Sequence, residues 1–460
     1  MYDSDTIAAI ATPPGSSAIG IIRISGPESL RIAASLFRSP SFSPETIRSH
    51  HLYHGRIVDP HDGCTLDEVL VSYMRAPTSY TGEDVVEINM HGGMLVLQKT
   101  LELVCAAGAR IARPGEFTRR AFCNGRMDLA QAEAVMDIIN AQTEIGLKLA
   151  SRLLTGELSH TINLLMDDVI DITAHLEAAI DFPEDDIQPQ DAHALAQRIS
   201  GILESLRRLQ ATSTQGTMIR TGIQAVIAGK PNVGKSSILN ALLGHYRAIV
   251  TPEPGTTRDI IQETINISGV PVHLVDTAGI RESHHAVEQI GIDMTRARIQ
   301  HADIVILVLD GSIPLDEFDR SIMHMLQGKH VLVAVNKSDL PRAYADDAVA
   351  SLMPHAPVIH VSALMQQGID AMRDALAAML LHDTPINVSE IMVAHVRHGH
   401  ALLQAAEALE HARQGLQAKQ APELIAVDLQ SALAHLGEIT GRSASEDILD
   451  TIFESFCIGK

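Results

Sequence analysis

Between residues 223 and 381 the chain alternates short, β-rich apolar runs with helical stretches, the pattern of a mostly parallel α/β sheet. The apolar runs fall at 223–228, 263–267, 270–275, 303–309, 330–335 and 358–361. Ser268-Gly269 separates the second from the third and reads as a hairpin turn, so one antiparallel pair is expected in an otherwise parallel sheet. On either side, over 128–180 and again over 389–456, apolar residues recur at three- and four-residue steps, which predicts helices. The acidic stretch FPEDDIQPQD at 182–191 reads as a loop between them. The first ~120 residues read as α+β, with strands at IGIIRISG and DVVEINMHGG.

This pattern divides the chain into an N-terminal unit (1–121), a helical region (122–216), an inserted α/β domain (217–383) and a second helical piece (384–460). The ends of a folded domain commonly lie close together, so the two helical pieces are expected to pack as one unit.

Composition adds mainly exclusions. With 46% hydrophobic residues and no tryptophan, the chain is an ordinary globular one with an aliphatic core. The apolar run at 304–309 is far shorter than the roughly 20 residues that span a bilayer. The first residues, MYDSDTIAAIATPP, lack the features of a secretory signal or a mitochondrial presequence, so the expected location is cytoplasmic. Cys64, Cys105, Cys123 and Cys457 have no CxxC spacing, and three of the four read as buried thiols. The His395, His398 and His400 cluster lacks a metal motif and reads as surface or packing. A formal charge of −21 repels nucleic acid at long range, so any RNA contact needs a local basic patch or a partner protein.

The chemistry lies in the inserted domain. GKPNVGKSS sets Gly229 and Gly234-Lys235-Ser236 directly after a strand and before a helical run, the context in which a glycine-rich loop wraps phosphates. Asn232, Val233, Ser236 and Ser237 belong to the same loop. Lys235 would reach the β- and γ-phosphates, and the Ser236 hydroxyl would bind Mg²⁺. In PGTTRD, Thr257 is the expected switch ligand to Mg²⁺, with Thr256 beside it. Asp276-Thr277-Ala278-Gly279 ends a strand where an Asp supports the magnesium shell and a glycine amide meets the γ-phosphate. Asn336-Lys337-Ser338-Asp339 ends another strand. The Asp339 carboxylate suits the ring N–H and amino group of guanine, which selects GTP. Ser362-Ala363 would supply backbone donors to the guanine oxygen. Ile280 stands where signalling GTPases carry a water-orienting glutamine, so another group must place the water. Arg281, Glu282 and Glu288 are the candidates in this loop.

Taken with DTIAAIATPPG, TGEDVVEINMHGG, IARPGEFTRRAF, DLAQAEA and the C-terminal FCIGK, these elements resemble the MnmE (TrmE) family of tRNA-modification GTPases along the whole chain. The resemblance implies a homodimer whose N-terminal domain is similar to tetrahydrofolate-binding domains and holds a 5-formyl or methylene folate. It also implies a flavoprotein partner, MnmG (GidA). Together the two proteins would add an aminomethyl or carboxymethylaminomethyl group to the wobble uridine of certain tRNAs. By matching positions, Asn232, Thr251, Glu253 and Thr256 would bind K⁺, and Glu288 would orient the water. Arg23, Glu87, Arg126 and Lys460 would bind folate, and Cys457 would be available to substrate chemistry.

Two rival readings leave part of the chain without a purpose. A regulatory, ribosome-associated GTPase has no use for a folate-like N-terminal unit and FCIGK, and a folate enzyme has none for a complete set of guanine-nucleotide motifs.

Overall fold

The computed structural model describes residues 5–181, 192–246, 262–276, 299–381, 386–387 and 390–460. The chain divides into two compact units. One comprises Met1–Met136, Leu153–Pro189 and Ala421–Lys460, and the other Asp137–Arg152 and Gln190–Gln420. The loop expected at 182–191 lies outside the described residues.

The first unit is built on a seven-stranded sheet of β1 (Ile7–Ile10), β2 (Ser17–Ser25), β3 (Phe37–Arg38), β4 (His51–Val58), β5 (Thr65–Met74), β6 (Val85–Gly92) and β7 (Arg110–Ile111). Their order is β3-β4-β5-β6-β2-β1-β7. Alternation along the strands sends Ile22, Ile24, Val71 and Ile88 to one face. There they pack with Ile32 and Leu36 of the helix Ser29–Leu36 and with Leu97 and Val104 of Met94–Ala106. The opposite face carries Arg23 beside Glu87, Glu87 beside Ser72 and Ser72 beside Leu52. Leu52 and Leu70 on this face are 65% and 42% exposed, although the sheet's other side is a dense core.

In the same unit the helix Glu157–Asp181 packs along Pro422–Thr440. The last helix, Glu446–Glu454, and the residues after it bury Leu449, Phe453 and Phe456 against Leu129 and Ala132. The helical region expected over 128–180 is three helices, Leu129–Asn140, Glu144–Leu154 and Glu157–Asp181. Thr143 makes the first break, its Oγ1 accepting from the amide of Gly146 at 3.0 Å, and Gly156 makes the second with φ +82°.

The second unit contains a six-stranded sheet of β8 (Ile223–Ala228), β9 (Gln262–Ile267), β10 (Val270–Asp276), β11 (Ile304–Asp310), β12 (Val331–Asn336) and β13 (Val358–His360), ordered β13-β12-β11-β8-β10-β9. All neighbours are parallel except the β9–β10 hairpin, which turns through Ser268 and Gly269 at φ +52° and +94°. β11 and β12 are buried along their whole length, as expected for strands covered on both faces. The helix Ala192–Ala211 runs along Val396–Gln417. Thr143 Oγ1 donates to the Gly269 carbonyl at 2.9 Å, which ties the hairpin to the segment 137–152.

The expectation of three buried thiols is wrong. Cys64, Cys123 and Cys457 are exposed and Cys105 is half-buried, because they sit in a turn, at a helix end and in the tail rather than on apolar faces. Of the histidines, His395 and His398 are buried, and the Asp137 carboxylate binds both His395 Nε2 (2.8 Å) and Arg220 Nε (2.7 Å). Burial opposes ionisation of Asp137, but these two partners outweigh it and hold the carboxyl below its usual range. Among the described residues no helix is long and apolar enough to cross a membrane.

Candidate functional site

At the C-terminal end of β8, buried from Ala225 to Ala228, the chain turns sharply. Gly229 has φ +143°, and a Cβ there would lie 2.3 Å from the Val308 carbonyl oxygen. Asn232 also has positive φ, and Gly234 (φ +96°) packs so closely on Asn336 that a Cβ would meet its Nδ2 at 2.2 Å. The helix Lys235–Tyr246 follows at once. The loop therefore needs glycine twice for physical reasons, and its amides gather at a helix N-terminus, the geometry that binds phosphate.

Lys235 Nζ donates to the carbonyls of Gly229 (2.9 Å) and Lys230 (2.6 Å). Asn336 Nδ2 donates to Val233 O at 2.8 Å, and Asn336 Oδ1 accepts from the amide of Ala363 at 3.1 Å, so one side chain joins three motifs distant in sequence. Asp339 Oδ1 accepts from the fully buried Ser362 hydroxyl at 2.5 Å, which fixes the carboxylate's direction. Lys337 pairs with Asp310 at 2.5 Å. Burial works against the Asp310 charge, but hydrogen bonds from Lys337 and Ser312 overcome it and keep this carboxyl below the usual range.

A cavity of about 620 Å³ joins these motifs, lined by Asn232, Gly234, Ser237, Lys337, Asp339 and Ala363 among others. Its size suits a nucleotide. A larger cleft, about 1080 Å³, lies at the other ends of the strands, near Ile223, Ile304 and His330, where an α/β sheet does not usually bind its ligand. Asp276 ends β10 in register with Ile227, beside the loop. Thr251, Glu253, Thr256, Thr257, Thr277, Ala278, Gly279, Ile280, Arg281, Glu282 and Glu288 lie outside the described residues.

A second constellation occupies the open face of the seven-stranded sheet. Arg23 Nε donates to Glu87 Oε1 at 2.8 Å, and its guanidinium lies over the rings of Tyr80 (5.2 Å) and Phe117 (5.7 Å). The C-terminal tail closes on it. Arg23 donates to the Gly459 carbonyl at 3.2 Å, and the Phe117 amide donates to the Lys460 carbonyl at 3.2 Å. Gly459 has φ +99°, and a Cβ would come within 2.6 Å of the Ile10 carbonyl oxygen. Burial, with the Arg23 charge beside it, lowers the Lys460 ammonium below the usual lysine range. Arg126 is exposed and donates to the Ser79 carbonyl at 3.0 Å, next to Tyr80 rather than to the Arg23–Glu87 pair. Cys457 is exposed, with its carbonyl facing the Gly115 amide at 3.4 Å.

Sequence reasoning missed the aromatic pair over Arg23. It also missed the network beneath, in which the buried Arg120 binds Asp5, Glu83 and Glu116. No spacing rule connects Tyr80 or Phe117 to Arg23, and the arginine-rich TRR was the sole signal for Arg120.

A phosphate-wrapping loop after a parallel strand, with a carboxylate fixed for guanine at the end of a neighbouring strand, defines a P-loop GTPase. Residues 6–126 match the family model described as the GTP-binding protein TrmE N-terminus, and 129–457 match the MnmE helical domain. The chain is 45% identical over 456 residues to the tRNA modification GTPase MnmE of Natranaerobius thermophilus, covering 99% of each. It is 47% identical over 461 residues to that of Geobacter sulfurreducens, covering 100% of each. The chain belongs to the MnmE family of tRNA modification GTPases.

Proposed function

We propose that this chain hydrolyses GTP to drive installation of an aminomethyl or carboxymethylaminomethyl group on the wobble uridine of certain tRNAs, acting with an MnmG (GidA)-type flavoprotein. The observation that carries the reading is the joint presence, in one chain, of the phosphate loop with its guanine-facing Asp339 and of the Arg23–Glu87 site closed by the C-terminal tail. A purely regulatory GTPase has no use for the second site. Reconstitution tests it: the chain, the flavoprotein, tRNA, GTP, a methylene folate for the carbon and an amine, ammonium for the aminomethyl or glycine for the carboxymethylaminomethyl group, should together yield the modified uridine. Product formed equally without GTP or without this chain would overturn the reading.

In the nucleotide site, the loop amides from Asn232 to Ser237 and Lys235 bind the phosphates, while Asn336, Lys337, Asp339, Ser362 and Ala363 enclose guanine. Ser236 and Thr257 hold Mg²⁺, supported by Asp276, and Thr277, Ala278 and Gly279 face the γ-phosphate. Mg²⁺ supplies charge neutralisation at the phosphates. Asn232, Thr251, Glu253 and Thr256 bind K⁺ where other GTPases place an arginine, and Glu288 orients the attacking water. Hydrolysis should accordingly be much faster in potassium than in sodium, and Glu288→Ala should keep nucleotide binding while losing most turnover. Equal rates in the two salts would remove the potassium assignment.

Glu87 and Arg23, with Arg126 and Lys460, fit a folate. A carboxylate can accept two donors from a pterin, and the cations suit the acidic tail. The folate would supply the transferred one-carbon unit. Glu87→Ala should abolish binding of 5-formyl-tetrahydrofolate in a calorimetric titration and leave GTP hydrolysis unchanged, and wild-type affinity would contradict the assignment. The uncovered sheet face with Leu52 and Leu70 supports a homodimer through the N-terminal unit.

A further inference from the structure

Lys230 is the second residue of the phosphate loop, and its ammonium is already occupied. Nζ lies 2.5 Å from Asp316 Oδ1 and 2.6 Å from Asp319 Oδ2, with only 12% of the lysine side chain and 7% of the Asp319 side chain exposed. Both carboxylates are fixed by the start of the helix Glu317–Met325. Asp316 caps it, accepting from the amides of Phe318 (2.9 Å) and Asp319 (3.1 Å), and Asp319 accepts from the Asp316 amide at 3.2 Å. The ammonium therefore meets two acceptors held in place by helix backbone, one of them, Asp316, itself 61% exposed. Burial draws the Lys230 ammonium down, but the two aspartates outweigh it and leave it above the usual lysine range.

Lys235 holds the same stretch of loop from the other side, through the Gly229 and Lys230 carbonyls. The ammonium has three donors, so these two bonds leave one for the β- and γ-phosphates. The second half of the loop is tethered through Asn336 and Val233 O, and Lys230 tethers the first half to the start of the helix Glu317–Met325.

We propose that Lys230 is a positioning residue of the phosphate loop, its ion pairs with Asp316 and Asp319 holding the first half of the loop in phosphate-binding shape. The proposal rests on the reading of this loop as the phosphate site. It assigns Lys230 no direct phosphate contact, which makes the sign of the helix variants informative. Removing the aspartate charges loosens the loop if Lys230 is a clamp, whereas it frees a cation for the phosphates if Lys230 is a ligand.

The test is fluorescent mant-GDP binding to the full chain. Lys230→Met should raise Kd about tenfold, chiefly through faster dissociation, because preorganisation is lost. Asp316→Ser with Asp319→Gln keeps a capping box but removes both charges, and should do the same. Combining all three substitutions should weaken binding no further than either change alone, and Lys230→Arg should restore most of the affinity. Thermal unfolding checks each variant, and if Lys230→Met fails to fold, the capped helix pair carries the test. Unchanged dissociation in folded variants, or tighter binding in the helix pair, overturns the clamp. Lys235→Ala separates the two levels. If it binds mant-GDP like the wild type, the phosphate-loop reading itself fails; if it loses binding while Lys230→Met does not, only the clamp does.

Discussion

Asp339→Asn is expected to lower GTP affinity by a factor of roughly 10²–10⁴, because two charge-assisted hydrogen bonds from guanine, each worth about 1.5–3 kcal/mol, give way to one neutral bond and a donor facing the guanine amino group. The same substitution should raise affinity for xanthosine triphosphate, whose base presents an oxygen where guanine has an amino group and so accepts from the new amide. The structure gives the effect its sharpness. Asp339 is held by the Ser362 hydroxyl, itself buried, so the carboxylate cannot swing aside to reduce the mismatch. Competition between the two triphosphates for the purified variant measures the switch, and unchanged GTP affinity would remove Asp339 from the base site.

Deleting residues 457–460 is expected to eliminate wobble-uridine modification while GTP hydrolysis stays within about twofold of wild type, since the tail and the nucleotide loop belong to different compact units. Chain ends ordinarily fray, but this one is anchored. Phe453 and Phe456 are buried in a cluster with Leu129, and beyond them Gly459 and Lys460 bond to Arg23 and Phe117. The deletion spares the phenylalanines and therefore the helix they hold, but it removes the Lys460 ammonium, the Gly459 carbonyl at Arg23 and the Cys457 thiol together. A truncated chain that restores full modification in a strain lacking the protein would reduce the tail to packing. Substituting Cys457 alone then separates the thiol from the rest. Loss of modification with folate binding intact would point to substrate chemistry at sulfur.

Much of this was legible because the nucleotide motifs sit at strand ends, where local sequence carries its own geometry. Gly229 and Gly234 are required by close approaches of backbone and side chain within the loop, so their spacing survives as a pattern. The Ser268-Gly269 turn is similarly local and correctly set the single antiparallel pair in the second sheet. The helical breaks at Thr143 and Gly156 were hidden, because apolar residues keep a helical period on both sides of each break and the periodicity does not reset. The resemblance grouped Arg23, Glu87 and Lys460, but the other contacts between distant segments were not legible from spacing. Tyr80 and Phe117 over Arg23, or Lys230 between Asp316 and Asp319, depend on which elements the topology brings together. The cysteines failed for a related reason: residue type alone suggested burial, and the turn, helix end and tail that carry them decided otherwise.

The most direct measurement of the central claim is a mass-spectrometric nucleoside analysis of tRNA from cells lacking this protein. Aminomethyl and carboxymethylaminomethyl uridines should disappear from the wobble position, return with the full chain, and fail to return with Lys235→Ala or with Glu87→Ala. Unaltered wobble uridines in the deletion strain would contradict the account, whatever the purified protein does with GTP.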